Sequence, residues 1–410
     1  MAPTYVTRYV DRILDQAMPD LPAILLDGPK GVGKTSTASQ RVKTVVAVET
    51  PAIAARLTEE PSWITGQEKP VLIDEWHRVE PVWDAIKRAV DEDSSGGQFL
   101  LTGSLPSGST HSGAGRITDI RMRPMILPER GVTTPSIFLD QAMDEGKFEA
   151  RGNSDFLLED YISEIVQSGF PGIRQLSRSN QQRALEGYLN RLVDVDIPHF
   201  GLSLRKPATL RSWLAAYAAS TGSTASLNTI RDAASAGDSS PSRITTGNYL
   251  DALTRLRIID ELEPWLPQGT SLQRLTVSPK RYLADPALAA RLTNFTEKGA
   301  LTHDLTGALF EHLVALSLRV MADTAGAKLF HLRTRDARAE VDFILQRPDG
   351  KILAIESKLG SRVTEKDTKH LLWLKNLLGD RVLDLAVVNT GAEAWRMSSG
   401  VAVIPLALLG

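Results

Sequence analysis

Cysteine is absent from the 410 residues, which excludes disulfides, zinc ribbons, iron–sulfur clusters and cysteine nucleophiles together. A charge excess is missing too. The chain has 47 Lys and Arg against 49 Asp and Glu, a formal net charge of −2. A purely electrostatic binder of nucleic acid is thereby excluded, although a local basic face is not. No run reaches the roughly 18 uncharged apolar residues of a spanning helix. The longest candidate, Ala308 to Ala322, is interrupted by Glu311, His312 and Arg319. The first residues carry Arg8, Asp11, Arg12 and Asp15 and no apolar core of signal-peptide length, so a cytoplasmic chain without membrane contact is expected. The seven histidines show no H-x-x-x-H or related spacing, and no transition metal is assigned.

What is present is an ordinary globular composition, 42% hydrophobic and 23% charged, long enough for several domains. Four segments separate by pattern. In residues 1–130, short apolar runs alternate with helix-like stretches: Ala23–Gly28, Thr44–Glu49, Pro70–Glu75, Phe99–Ser104 and Asp119–Leu127. Runs so short, bounded by Gly, Pro or Asp, predict buried parallel strands of an α/β domain. Residues 131–201 predict a helical linker or lid. Residues 202–300 hold three helical stretches joined by Gly/Ser-rich turns and followed by a strand-like hairpin, which suggests a winged helix-turn-helix. Residues 301–410 predict a helix, three strands with a hairpin at Asp349-Gly350, a helix and a strand.

The chemistry-bearing motif is GPKGVGKT, which satisfies G-x-x-x-x-G-K-[ST]. It follows the strand AILLD and opens a helical stretch, the context that marks a phosphate-binding loop. Gly28, Gly31 and Gly33 relieve the backbone so that successive N–H groups can face phosphate oxygens. Pro29, Lys30, Val32 and Ser36 complete the loop around them. Lys34 can reach the β- and γ-phosphates of ATP, and the Thr35 hydroxyl can ligate Mg²⁺. The strand VLIDEW ends in Asp74, a candidate Mg²⁺ partner, and Glu75, a candidate to polarise the attacking water. The strand FLLTGS ends in Thr102 and Ser104, whose hydroxyls could bond that water or simply form a strand exit. Arg116 could reach the γ-phosphate of a neighbouring subunit or be a surface arginine.

These motifs, with AGR before the next strand and a late AEVDFIL…IESK, resemble the bacterial and archaeal AAA+-type ATPases that carry a C-terminal domain of unknown function. Lys30 stands where that family usually has arginine, and Trp76-His77 where Ile-Gln is common. The resemblance implies sensor roles for Thr102 and Ser104, an arginine-finger role for Arg116, and a homo-oligomer in which Arg116 completes a neighbour's site.

The late segment resembles a PD-(D/E)XK nuclease core. Glu356 and Lys358 are two apart and share one face of a strand. The hairpin brings Asp342 opposite them, and Glu311 on the preceding helix could add a ligand. Such a set can hold Mg²⁺ and cleave DNA, or it can be a cross-strand ion pair in a binding module. Arg243, Arg255 and Arg257, on or near the third helix of the middle segment, could meet DNA phosphates or solvate a helix face. Three readings therefore follow. The first is a DNA-associated ATP hydrolase that switches conformation. The second is an ATP-gated nuclease, and the third a nucleotide-sensing regulator without nuclease activity.

Overall fold

The apolar runs of the first segment become parallel strands. The computed structural model describes residues 5–103, 113–199, 206–235, 241–266, 278–334 and 338–410. Ser104 lies outside them. The chain forms two compact units, one reaching to Arg123 with Arg255–Arg257 added, the other Pro124–Thr254 with Ile258–Gly410.

The first unit is built on β1 (Ala23–Asp27), β2 (Thr44–Ala47), β3 (Val71–Asp74), β4 (Phe99–Gly103) and β5 (Ile117–Arg121). Their order is β2-β3-β4-β1-β5, with every pairing parallel. Each residue of β1 and β4 is buried, which is why those stretches read as unbroken apolar runs. Alternate residues Ala23, Leu25, Val71, Ile73, Phe99 and Leu101 enter one core with Trp76, Trp83 and Ile86. The last strand is shorter than its apolar run because Pro124 has no N–H to offer a ladder.

The second unit contains a seven-stranded mixed sheet. Its strands are β6 (Gly152–Asn153), β7 (Lys328–Arg333), β8 (Glu340–Gln346), β9 (Ile352–Lys358), β10 (Val382–Asn389), β11 (Glu393–Arg396) and β12 (Ala402–Pro405), ordered β6-β11-β12-β10-β9-β8-β7. β8 and β9 form the expected antiparallel hairpin, with Gly350 left-handed at its turn (φ 83°). β9 and β10 are parallel, joined through the helix Glu365–Leu378. The helix Thr306–Thr324 is buried along nearly its whole length. β6 comes from the segment expected as a separate lid, so that segment shares a sheet with the last one.

The middle helices are Pro207–Ala219, Leu227–Ala233 and Arg243–Arg255, in the expected order. The strand-like hairpin after them appears among the described residues as two isolated antiparallel bridges, Ile259–Leu283 and Leu262–Lys280. A further bridge from Pro264 to His331 lies along β7. Among the described residues, no helix is long and apolar enough to cross a membrane.

A buried ion triad ties helix Leu158–Gln167 into this unit. Glu164 accepts from Arg130 Nη1 at 3.0 Å and from Arg174 Nη1 at 2.8 Å. Burial pushes the Glu164 carboxyl up, but the two guanidiniums outweigh it and hold its pKa below 4.5. Replacing Glu164 by Gln leaves Arg130 buried beside a neutral group, at an expected cost of about 3–5 kcal/mol at neutral pH. Because the folded pKa is depressed, this stabilisation is present above pH 4.5 and lost as pH falls through the folded pKa. Denaturant midpoints of wild type and Glu164→Gln should therefore converge below pH 4.5. A constant difference down to acid pH would contradict the pairing.

Candidate functional site

The loop after β1 is shaped by three glycines for two reasons. Gly31 and Gly33 are left-handed, with φ of 79° and 106°. Gly28 is needed for space, since a Cβ there would lie 2.2 Å from the Met122 carbonyl oxygen. The helix behind the loop runs only Lys34–Ala38 before tightening into the 3-10 turn Ser39–Arg41. Loop N–H groups and Lys34 thus matter more here than a long helix dipole.

Lys34 is buried, and its ammonium donates to the carbonyls of Gly28 (2.8 Å) and Pro29 (3.1 Å). Burial pulls its pKa down to about 8, against the opposing pull of Glu75, Asp27 and Asp74. The Thr35 hydroxyl donates to Asp74 Oδ1 at 2.8 Å, and the Thr102 hydroxyl donates to the same oxygen. One carboxylate oxygen thus joins the loop, β3 and β4. Thr35, Asp74 and the ammonium of Lys34 form a donor set that fits a polyphosphate with a hard divalent cation.

Glu75 sits at φ 56°, ψ 41°, a left-handed conformation that costs a non-glycine residue about 1–3 kcal/mol. Burial raises its carboxyl pKa, with Lys34 pulling the other way. His77 Nε2 lies 3.6 Å from Glu75 Oε2. That is ion-pair range, yet burial drops the imidazole pKa to about 4, so the histidine is neutral at physiological pH. Trp76 is fully buried, packs on Trp83 with centroids 4.6 Å apart, and belongs to the core. Trp76 Nε1 and His77 Nδ1 are both buried, have no hydrogen-bond partner among the described residues, and lie close to Gly103.

Two arginines missed by motif reading support this site. Buried Arg8 donates to the Val32 carbonyl at 3.2 Å and to the Arg123 carbonyl at 2.7 Å. Tyr5, just before it, touches the Thr37 hydroxyl at 3.0 Å. Arg257, which the sequence suggests for DNA, instead donates through Nε to Asp27 at 2.5 Å. Arg243 remains exposed. Arg116 is half-exposed and its Nε donates to Asp91 at 2.6 Å.

The C-terminal carboxylates also meet, but around an unexpected cation. Lys280 Nζ lies 2.8 Å from Asp342 Oδ1, 3.0 Å from Glu311 Oε1 and 3.3 Å from Glu340 Oε1. Despite burial, these carboxylates raise the lysine pKa well above its usual value. Burial and then the neighbouring Asp342 carboxylate push the Glu356 carboxyl well above the usual carboxylate range. Burial pushes Glu311 to about 7 against the pull of Lys280. Lys358 is hydrogen-bonded to Asp367. The lysine of the sequence motif is therefore engaged elsewhere, and a lysine outside the motif holds the cluster. Among the described residues there is no group of three His, Asp or Glu arranged to hold a metal ion.

Residues 20–130 match the family model described as an AAA domain. Residues 158–299 match the domain of unknown function DUF8612, and residues 306–409 match the domain of unknown function DUF4143. The first segment is thus similar to an AAA domain and carries the P-loop motif. Uncharacterized proteins of Mycobacterium tuberculosis and Mycobacterium bovis are each 25% identical over 404 residues, covering 96% of this chain and 82% of theirs. A Walker-type ATPase of Pyrococcus abyssi aligns over 70% of this chain and 96% of its own, with 16% identity and a TM-score of 0.42.

The Lys34 geometry generates a pH test. With a pKa of about 8, the ammonium is charged below that pH and neutral above it. Affinity for ATP should be flat up to about pH 7.5 and fall above pH 8, by at most about tenfold per unit. Titration with a fluorescent ATP analogue between about pH 6.5 and 9.5 checks this. A dissociation constant that does not change across that range would remove Lys34 from phosphate contact.

Proposed function

We propose that this chain is a Mg²⁺-dependent ATP hydrolase whose P-loop unit drives conformational changes in its other segments. The observation that carries the reading is the shared Asp74 oxygen bonded to Thr35 and Thr102, beside the buried Lys34 ammonium. The loop from Gly28 to Ser36 would hold the triphosphate, with Lys34 neutralising its β- and γ-oxygens. Thr35 and Asp74 would hold Mg²⁺, which supplies charge neutralisation when bound. Glu75 would orient a water and take its proton as the water oxygen attacks the γ-phosphorus. The bond to the β–γ bridging oxygen then breaks, leaving ADP and phosphate. Burial favours this role because it makes the Glu75 carboxylate a better proton acceptor than an exposed one. Thr102 would tie the state of Asp74 to β4.

Two extensions belong to the same reading. Arg116 would complete the site of a neighbouring copy, exchanging Asp91 for a γ-phosphate. DNA association would use exposed Arg243 and its helix.

Lys34→Ala should abolish ATP binding. Glu75→Gln should keep ATP bound within about threefold and lower turnover by about a hundredfold or more, as expected for loss of a general base. Equilibrium binding and phosphate release, measured side by side, check both. Wild-type turnover in Glu75→Gln would reject that carboxylate as the base.

Arg116→Ala and Lys34→Ala should each be inactive alone and regain part of the activity when mixed. Each supplies what the other lacks. Turnover per subunit that is independent of protein concentration, with no recovery on mixing, would reject the shared site.

A further inference from the structure

Carboxylates from three elements converge in the second unit: Glu311 on the helix Thr306–Thr324, Glu340 and Asp342 on β8, and Glu356 on β9. So many acidic groups in a buried place demand a cation. The cation present is the Lys280 ammonium, whose residue is 1% exposed. The ammonium donates to Asp342 Oδ1 at 2.8 Å and Glu311 Oε1 at 3.0 Å, and forms an ion pair with Glu340 Oε1 at 3.3 Å. The Phe343 ring lies 6.0 Å from the same nitrogen.

This lysine is fixed from several sides. Its backbone N–H and carbonyl both bond Leu262, each at 2.9 Å. The next residue, Arg281, donates its N–H to the Ser223 carbonyl at 2.9 Å and accepts from Gly222 at 3.0 Å. The hydroxyl of Tyr282 donates to Glu311. The remaining Asp342 oxygen receives the Ser357 N–H and hydroxyl, both at 2.9 Å. Both Asp342 oxygens and Glu311 Oε1 therefore already accept from protein donors.

A divalent cation would need those oxygens at roughly 2.0–2.6 Å. An ammonium hydrogen-bonded to them occupies the same space and supplies the charge that a metal would bring. Lys280 lies outside the matched C-terminal domain, in the segment before it.

We propose that Lys280 is a built-in cation standing in the place of a divalent metal, so that the native carboxylate cluster takes no metal and becomes a divalent-cation site only when this lysine is removed. The cluster is then a closed site locked by a neighbouring segment of the same chain. The native chain accordingly performs no metal-dependent chemistry at Asp342 and Glu356.

The test uses the nucleotide-free full chain and MnCl₂ as the probe. Wild type, Asp342→Asn, Lys280→Met, Lys280→Gln and Lys280→Met with Asp342→Asn are compared by calorimetric titration and thermal unfolding. Wild type should show no Mn²⁺ binding that Asp342→Asn removes, and no shift of Tm with Mn²⁺. Lys280→Met should lower the Tm by about 5–10 °C, since it leaves buried carboxylates unpaired. Millimolar Mn²⁺ should restore at least half of that loss and bind with one-to-one stoichiometry, and both effects should vanish in the double variant. Lys280→Gln, whose amide can still donate to the carboxylates, should behave the same way with a smaller fall. Wild-type Mn²⁺ binding abolished by Asp342→Asn would overturn the proposal. So would Mn²⁺ that neither binds nor stabilises either single variant.

Discussion

The proposed nucleotide site depends on one constraint, the parallel register of β1, β3 and β4. Asp74 lies opposite Thr102, and Asp27 opposite Gly103. Parallel strands run the same way, so their carboxyl ends fall on one edge, where ligands of such sheets bind. That edge collects Asp27, Asp74 and Glu75 around a buried lysine. Slipping β3 by one residue would turn Asp74 to the other face and break its bonds to Thr35 and Thr102. The apolar interior that holds this register therefore also sets the site. Leu101 and Ile73 are neighbours in the ladder, and each is fully buried.

Local pattern was enough to read most of this unit. Five strands, the loop and the two acids at the end of β3 each announce themselves within a few residues. Support from distant residues was not readable. Arg8 reaches Val32 across 24 positions, and Arg257 reaches Asp27 across 230. Neither arginine belongs to a spaced motif, and an arginine in a helical stretch looks the same whether it meets solvent, DNA or a carboxylate. Glycine reading was partly correct for a partly wrong reason. Gly31 and Gly33 are needed for their dihedrals, whereas Gly28 is needed because Met122 passes close by.

In the second unit, periodicity located the helices and the β8–β9 hairpin but could not reveal how they share a sheet. β6 is two residues long and has no pattern at all; it exists because β11 offers it a partner. The middle segment after Arg257 carries alternating residues that look like a hairpin. Among the described residues that pairing is the antiparallel bridges Ile259–Leu283 and Leu262–Lys280, and Pro264 adds a parallel bridge to His331 of β7. An edge strand presents unpaired N–H and C=O groups, and a neighbouring segment that covers them removes that liability. Sequence division into domains follows where patterns change, while packing follows where unpaired edges and apolar faces find partners.

The two buried lysines show how composition and motif can agree while chemistry differs. Lys34 and Lys280 are both nearly inaccessible, and both lie among acidic side chains. Their pKa values move in opposite directions, because desolvation wins at Lys34 and carboxylate attraction wins at Lys280. At Lys34 the ammonium donates to two backbone carbonyls, which neutralise no charge. That ammonium gains from any anion that reaches it, and the loop in front of it presents N–H groups to the same anion. At Lys280 three carboxylates already hold the ammonium, so no electrostatic gain remains for an outside ligand. One lysine leaves a charge for a substrate to satisfy, and the other satisfies charges the fold has gathered. The difference lies in which oxygens are within 3.3 Å, a distance set by residues far away in the chain.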